Sequence, residues 1–166
     1  MSGELSTSPN LTALLEKAAE FHGHLGPFLA IGVRMGLIGM ERIGEPSWGM
    51  MRITVSLPIR VPFSCVVDGL QFSTKCTIGN QKLSLKNSTK IQATFDSRDD
   101  GGVVVLLSKS TFQKLKTKLL GKRLSDEEVR KLAIEVASMP EHRLFEVIQC
   151  ASESNKTNED MTDGCH

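Results

Sequence analysis

Phe21-His22-Gly23-His24-Leu25-Gly26-Pro27 is the stretch that decides the fold, because it ends one predicted helix and begins the next. Ser8-Pro9 has the residue types of an N-cap and a first helical position, and apolar residues at helical spacing follow as far as Ala18. That helix stops at residues 21–23. Pro27 then suits the first position of a second helix, which the apolar pattern extends to about residue 43.

The two histidines of this stretch are the first candidate ligands. His22 and His24 are two residues apart, so on an extended segment both imidazoles face the same way. They also precede a predicted helix N-terminus, whose positive end favours a bound anion or a nearby thiolate. The alternative is that one histidine caps a backbone carbonyl while the other packs.

The helix predicted at residues 27–43 combines a broad apolar face with glycines spaced three and four residues apart. A glycine inside a helix costs about 1 kcal/mol relative to alanine. Three of them indicate the close approach of another backbone, from a sheet or from a second protomer. The apolar residues are Phe28, Ile31, Met35, Ile38 and Ile43, and the glycines are Gly32, Gly36 and Gly39.

A second motif, Cys65-x-x-Asp68-Gly69-x-Gln71, is followed by Cys76-Thr77-Ile78-Gly79. Cys65 and Asp68 share one face of a helix. Cys76 falls on the same face three turns later, which in an unbroken helix is roughly 16 Å away and too far to share an ion. Either the helix breaks and the chain turns back, or only one cysteine joins the histidines. Either cysteine could also be a small buried hydrophobe.

The remaining pattern predicts a single α+β domain, with helices flanking a mostly antiparallel sheet. Residues 1–150 form the predicted core, and the polar segment 151–166 is expected to be a disordered tail. The Asp99-Asp100-Gly101-Gly102 turn predicts a hairpin between the third and fourth strands. The predicted strands are 48–57, 82–86, 91–96, 103–107 and 145–149, and the further helices are 63–76, 110–120 and 126–138.

Composition excludes several classes of function. A net charge of +1 gives no electrostatic footprint for nucleic acid or an anionic membrane. No tyrosine and a single tryptophan leave few aromatic platforms for stacking bases. No apolar run is long enough to span a bilayer, and the first ten residues do not resemble a signal peptide. We therefore expect a cytoplasmic protein without nucleic-acid or membrane partners.

The motifs together resemble the FmdE-like family, which is associated with formylmethanofuran dehydrogenase. The likeness lies in residues 21–27, Gly32-Val33-Arg34-Met35-Gly36, the Cys65 motif and Lys75-Cys76-Thr77-Ile78-Gly79-Asn80. The resemblance implies an α+β core with a His/Cys metal-site cleft and a homodimer. Family members often have cysteine where this chain has Gly26, and many add a C-terminal cysteine-rich zinc finger. This chain has no C-x-x-C pair and so matches the core without that finger.

These observations predict a protein that binds zinc or a similar divalent transition metal. The expected ligands are His22, His24 and Cys65, with Cys76 as a fourth or a substitute, and Asp68 orients a ligand or accepts a proton. The resemblance implies a role accessory to redox or one-carbon metabolism, with redox-enzyme subunits as partners. The alternative is an enzyme whose cysteine nucleophile is activated by a histidine. A third hypothesis is a purely structural component of a larger complex.

Overall fold

The computed structural model describes residues 9–44, 49–97 and 101–151. Six helices and five strands lie within these ranges. They are α1 (Pro9–His22), α2 (Pro27–Ile43), β1 (Arg52–Leu57), α3 (Cys65–Thr74), β2 (Leu83–Asn87), β3 (Gln92–Ser97), β4 (Gly101–Leu107), α4 (Lys109–Gly121), α5 (Asp126–Ala137), α6 (Glu141–Leu144) and β5 (Phe145–Cys150). The predicted elements are present to within about four residues, the largest difference being the strand predicted from residue 48, which begins at Arg52. Ser8, the predicted N-cap of the first helix, and residue 48 lie outside the described residues. α6 is an addition.

The strands form one sheet in the order β2-β1-β3-β4-β5. The pairs β1–β3, β3–β4 and β4–β5 are antiparallel, which confirms the mostly antiparallel sheet and the predicted hairpin. The tip of that hairpin, residues 98–100, lies outside the described residues. β1 and β2 are parallel, because α3 carries the chain back across the sheet between them. This crossover places the Cys65 motif above the sheet.

α2 is the central element of the core. It contacts α3, α5 and α1 as well as strands β3 and β4. Within the described ranges the helices pack on one face of the sheet, and the residues of that face alternate with partly exposed ones along β1, β3 and β4. The inward side chains form one continuous cluster with helical residues, and they include Ile53, Val55, Ala93, Phe95, Val103 and Val105. Because α2 is covered on nearly every side, its largely apolar sequence is suited to its position.

The glycines of α2 meet other parts of the same chain. A Cβ on Gly32 would lie 2.1 Å from the backbone oxygen of Val66, and one on Gly69 would lie 2.3 Å from the backbone oxygen of Leu29. A Cβ on Gly39 would lie 2.3 Å from the Phe95 ring. The backbone that these glycines allow to approach closely therefore belongs to the same chain and not to a second protomer. The glycines seat α3 and the sheet, so they give no reason to place a second protomer against α2.

Arg34 fixes α5 against α2. Its guanidinium donates hydrogen bonds to the backbone oxygens of Ala137 at 2.6 Å and Met139 at 2.8 Å, where α5 ends. Burial lowers the pKa of Arg34, although Glu141 acts in the opposite direction. Charge-assisted bonds to carbonyls at a helix C-terminus are favourable. They hold α5 where it borders the site described below.

The described residues form a single α+β domain. None of their helices has the length and apolar character needed to cross a membrane. Residues 152–166, which make up nearly all of the predicted tail, lie outside the described ranges.

Candidate functional site

The turn between α1 and α2 presents both histidines to one pocket. α1 ends at His22, and Gly23 turns the chain with φ +112°, where an L side chain is strained. Leu25 is buried and anchors the segment, after which Pro27 begins α2. The imidazole rings of His22 and His24 lie 4.9 Å apart between centroids. The two rings are close together as expected, but not through the extended segment assumed from their spacing: His22 is helical, and the positive-φ turn at Gly23 brings the His24 ring beside it.

Asp68 holds the His22 ring in place. The Nδ1 atom of His22 lies 2.6 Å from Oδ2 of Asp68, across 46 residues of sequence. The His22 side chain is 11 % exposed and the Asp68 side chain 37 %, so the contact is shielded from water on the side of His22 and open to it on the side of Asp68. A carboxylate that accepts from Nδ1 fixes the tautomer and leaves Nε2 with its lone pair available. The arrangement resembles the carboxylate–histidine pairs that support metal ligands.

Gln71 connects this pair to the second motif. Its side-chain amide donates to Oδ1 of Asp68 at 3.4 Å, and its Oε1 accepts the backbone N–H of Ile78 at 3.0 Å. The turn that follows Cys76 therefore supports Asp68 through Gln71, and Asp68 supports His22. Sequence reasoning missed this role of Gln71. Its spacing of three residues from Asp68 was the available signal.

A cavity of about 280 Å³ opens beside these groups. Its polar side is formed by His22, His24 and Cys65, at the α1–α2 turn and the start of α3. Its apolar side includes Phe28 and residues of two further helices, which the amphipathic pattern of residues 110–138 gave no reason to assign to a site. Those residues are Leu119, Leu120 and Val129.

Cys65 is half-buried in this cavity as a free thiol. Burial raises its pKa, and the negative charge of Asp68 raises it further. The thiol is therefore protonated at neutral pH in the metal-free protein. A metal ion would compensate both effects, because coordination stabilises the thiolate.

Cys76 lies elsewhere. It follows the C-terminus of α3, whereas Cys65 begins that helix, and ten residues of helix span about 15 Å. Cys76 is 2 % exposed, belongs to the main hydrophobic core and has its Sγ 3.9 Å from the backbone oxygen of Met51. Burial raises its pKa. The chain does not turn back after α3 to bring Cys76 beside the histidines, and Cys76 does not line the cavity.

The donor types around the cavity suit a zinc-like ion, although the side chains are not arranged as a finished site. Among the described residues, no three His, Cys, Asp or Glu side chains stand close enough together to hold a metal. Two imidazoles and one thiol are nevertheless a donor set that zinc accepts. His24 is exposed and can turn its ring, while Asp68 already orients His22.

A curated protein and a solved structure are similar to this chain. A probable S-adenosyl-L-methionine-binding protein from Archaeoglobus fulgidus is 39 % identical over 98 residues, which are 58 % of this chain and 27 % of that protein. The chain thus matches about a quarter of that relative's length. A tungsten formylmethanofuran dehydrogenase FmdE-like protein from Syntrophus aciditrophicus shares the fold with a TM-score of 0.59, at 19 % identity over 91 % of this chain and 77 % of that one.

The family comparison covers the site as well as the fold. A family model described as "FmdE, Molybdenum formylmethanofuran dehydrogenase operon" matches residues 21–149. That range begins at the histidine turn, contains the Cys65 and Cys76 motifs and ends in the last strand. The match extends over well more than half of the chain, and the chain therefore belongs to the FmdE family.

Proposed function

We propose that this protein binds a zinc-like divalent transition metal through His22, His24 and Cys65. The observation that carries the proposal is the 2.6 Å contact between His22 and Asp68, beside a second imidazole and a thiol in the same cavity. Asp68 acts as a positioning residue, because it holds the His22 ring with Nε2 free. Cys76 is left out of the proposed ligand set because it lies in the core beyond the other end of α3.

Three protein ligands leave a coordination position for water or a small molecule. When bound, such an ion supplies Lewis acidity at that position. The protein's own contribution is to orient His22 through Asp68, to give up the Cys65 proton and to shield the cavity with apolar residues. The cavity is therefore suited to binding or activating a ligand.

We further propose that the protein is accessory to formylmethanofuran dehydrogenase-type redox or one-carbon metabolism. Membership of the FmdE family supports this role. Partner subunits of a redox enzyme would then carry the redox centre. Co-purification of a tagged chain with such subunits from its own cells tests the role, and a chain that never associates with them contradicts it.

Metal analysis tests the proposed site. Protein purified without chelator is expected to carry about one equivalent of metal, and His24→Ala to lose most of it. His142→Ala is the matched control, because His142 is exposed on α6, outside the cavity. Cys65→Ala should lose metal while Cys76→Ala retains it. Equal metal content in His24→Ala and His142→Ala contradicts the proposal.

The same experiment tests the alternative of a cysteine nucleophile. That hypothesis is favoured by the presence of Cys65 in one cavity with both imidazoles, but the raised pKa of Cys65 opposes it. Metal-free protein whose Cys65 alkylates much faster than a free thiol would support the nucleophile. Stoichiometric metal together with slow alkylation supports the metal site.

We also propose that the homodimer implied by the family resemblance forms through the outer face of the sheet. Lys86 on β2 and Glu146 on β5 lie at the same level of that face, in register through Ser56, Gln92 and Leu106. A two-fold axis running along β3 brings Lys86 of one protomer against Glu146 of its partner. The two edges of this face are thus complementary in charge to a second copy.

A further inference from the structure

The apolar side of the cavity is the observation that the metal site leaves unexplained. Leu119 and Leu120 come from the end of α4, and Val129 comes from the first half of α5. Leu120 is 57 % exposed although it lines the cavity, so apolar surface continues from the donor groups to the opening. A purely structural metal site is closed by its four ligands and needs no such open wall.

The charge of the cavity restricts its ligand. None of the described lining residues is lysine, arginine, aspartate or glutamate, so no fixed cation is available to bind a phosphate or a second carboxylate. Two neutral imidazoles, one thiolate and a divalent ion carry a net charge of about +1, and the Asp68 carboxylate in contact with His22 brings the total to about zero. A single neutral or monoanionic donor atom completes that set, whereas a polyanion leaves charge uncompensated in an apolar surrounding.

The size of the cavity restricts the ligand further. Its 280 Å³ equals the volume of about nine water molecules in the liquid. Sites for drug-sized ligands hold about 300–1,000 Å³, so this cavity lies just below that range. A short alkyl chain or a single small ring fills such a volume, whereas a ligand built on a nucleoside, such as S-adenosylmethionine, would extend out through the opening.

We propose that the cavity binds a small molecule with one neutral or monoanionic donor atom and a short apolar body, and that Leu120 and Val129 select that body. The donor end of this assignment rests on the proposed metal site. The apolar end rests on the lining of the cavity alone, so the two can be tested separately.

The apolar end is tested on the metal-free protein with methyl, butyl and 2-sulfonatoethyl methanethiosulfonate. The Cys65 thiolate attacks the sulfenyl sulfur of the reagent, the S–SO2 bond breaks, methanesulfinate leaves and the thiol proton passes to solvent. Peptide-resolved mass spectrometry measures the rate at Cys65 alone. Each rate is divided by the rate of the same reagent with 2-mercaptoethanol, which corrects for intrinsic reactivity.

The butyl reagent is expected to exceed the methyl reagent at Cys65 by about fivefold or more after this correction. A fully buried methylene favours binding by roughly fourfold, so three partly buried ones suffice. The sulfonate reagent should fall below the methyl reagent. Equal corrected rates for methyl and butyl overturn the proposal whatever the metal content of the protein.

Variants of the lining residues test whether the apolar side of the cavity causes the preference of Cys65 for the butyl reagent. Leu120→Asn should lower the corrected butyl-to-methyl ratio to about one, and Val129→Thr should lower it partly while keeping the side-chain volume. Ile134→Asn is the matched control, because Ile134 is a similarly exposed apolar residue of α5 that does not line the cavity. An undiminished ratio in Leu120→Asn overturns the assignment of that residue.

The donor end is tested with cobalt(II)-loaded protein. 1-Butanethiol is expected to change the visible cobalt spectrum at lower concentration than ethanethiol does, and inorganic phosphate to leave it unchanged. Equal titrations by the two thiols, or a response to phosphate, overturn the proposed ligand class. If cobalt does not bind but the butyl preference at Cys65 persists, the proposed metal site fails and the apolar assignment stands.

Discussion

At the scale of single residues, the site consists of two pairs of residues that are close in sequence, and one long-range contact brings the two pairs together. His22 and His24 are adjacent because the Gly23 turn follows the end of α1, and Cys65 and Asp68 share the first turn of α3. The contact between His22 and Asp68 joins these pairs, and the shared turn of α3 places the same carboxylate near the Cys65 thiol. One carboxylate therefore affects both a ring orientation and a thiol pKa.

The pH dependence of Cys65 follows from this arrangement. Asp68 contributes to the raised pKa of Cys65, so Asp68→Asn should shift the pH profile of Cys65 alkylation to lower pH in the metal-free protein. Burial, the larger cause, remains, so the profile should stay above that of a free thiol. Peptide-resolved iodoacetamide labelling measures the shift, with Asp126→Asn as an exposed control. A shift to higher pH contradicts the assigned cause.

The pH dependence that Cys65 gives to the free energy of unfolding is opposite to that of an ordinary paired carboxylate. A thiol whose pKa is higher in the folded state stabilises the fold while protonated, and this contribution is lost as pH rises through the folded pKa. The metal-free protein should therefore become less stable above about pH 8.5, the ordinary thiol pKa. Cys65→Ala should reduce that loss in a urea titration, and an unchanged loss contradicts the argument.

Substitution of Gly26 by cysteine is expected to strengthen metal binding. A Cβ at this position would lie 3.2 Å from Nε2 of His24, and its φ of −121° suits any residue. Gly26→Cys is expected to add a ligand and to tighten metal binding by roughly tenfold or more, a factor that even outer-shell partners contribute. Gly26→Ala supplies the same Cβ without sulfur and should give no gain in a competition titration. Equal affinities for the two variants contradict the position of the site.

At the scale of elements, the packing of α2 on α3 sets the geometry of the cavity. Gly32 and Gly69 allow the two backbones to touch, and this brings the start of α3 beside the α1–α2 turn. Any side chain between them would separate Cys65 and Asp68 from the histidines. The two glycines thus bring the donor side chains together by allowing the helices to pack closely.

Substitution of these glycines tests that packing. Gly32→Ala should lower the free energy of unfolding by about 3 kcal/mol, since its Cβ would meet the backbone oxygen of Val66. Gly121→Ala, at the end of α4, meets nothing within 4 Å and should leave stability unchanged or raise it by about 1 kcal/mol. Chemical denaturation measures both, and a Gly32→Ala variant as stable as Gly121→Ala contradicts the close contact.

At the scale of the whole molecule, the described helices cover one face of the sheet and leave the other open. The outer face presents Thr54, Thr94, Val104 and Ile148 in one row across four strands. These residues are partly or fully exposed, whereas their neighbours along each strand are mostly buried. An open, largely uncharged sheet centre is a suitable surface for a second copy.

Light scattering tests the dimer. At tens of micromolar the wild type should show about twice the 18.2 kDa chain mass, and Ile148→Glu should shift it toward the monomer by placing charge in the interface. Ile134→Glu is the control, because Ile134 is comparably exposed on α5. A monomeric wild type, or equal effects of both variants, contradicts the proposed surface.

The sequence by itself determined the local features of this protein. Helical periodicity, the Pro27 start and strand alternation predicted nearly all elements, and short spacings paired His22 with His24 and Cys65 with Asp68. These features follow from the geometry of neighbouring residues, which the chain encodes directly. The family motifs also indicated the family to which the core belongs.

Only the tertiary structure decided which distant segments meet. It joined His22 to Asp68, left Cys76 in the core, paired β1 with β2 in parallel and gave the cavity an apolar wall from α4 and α5. It also showed that the glycines of α2 meet α3 and the sheet of the same chain. Periodicity states which face of an element is buried but not what covers it, because that depends on how all the elements pack together.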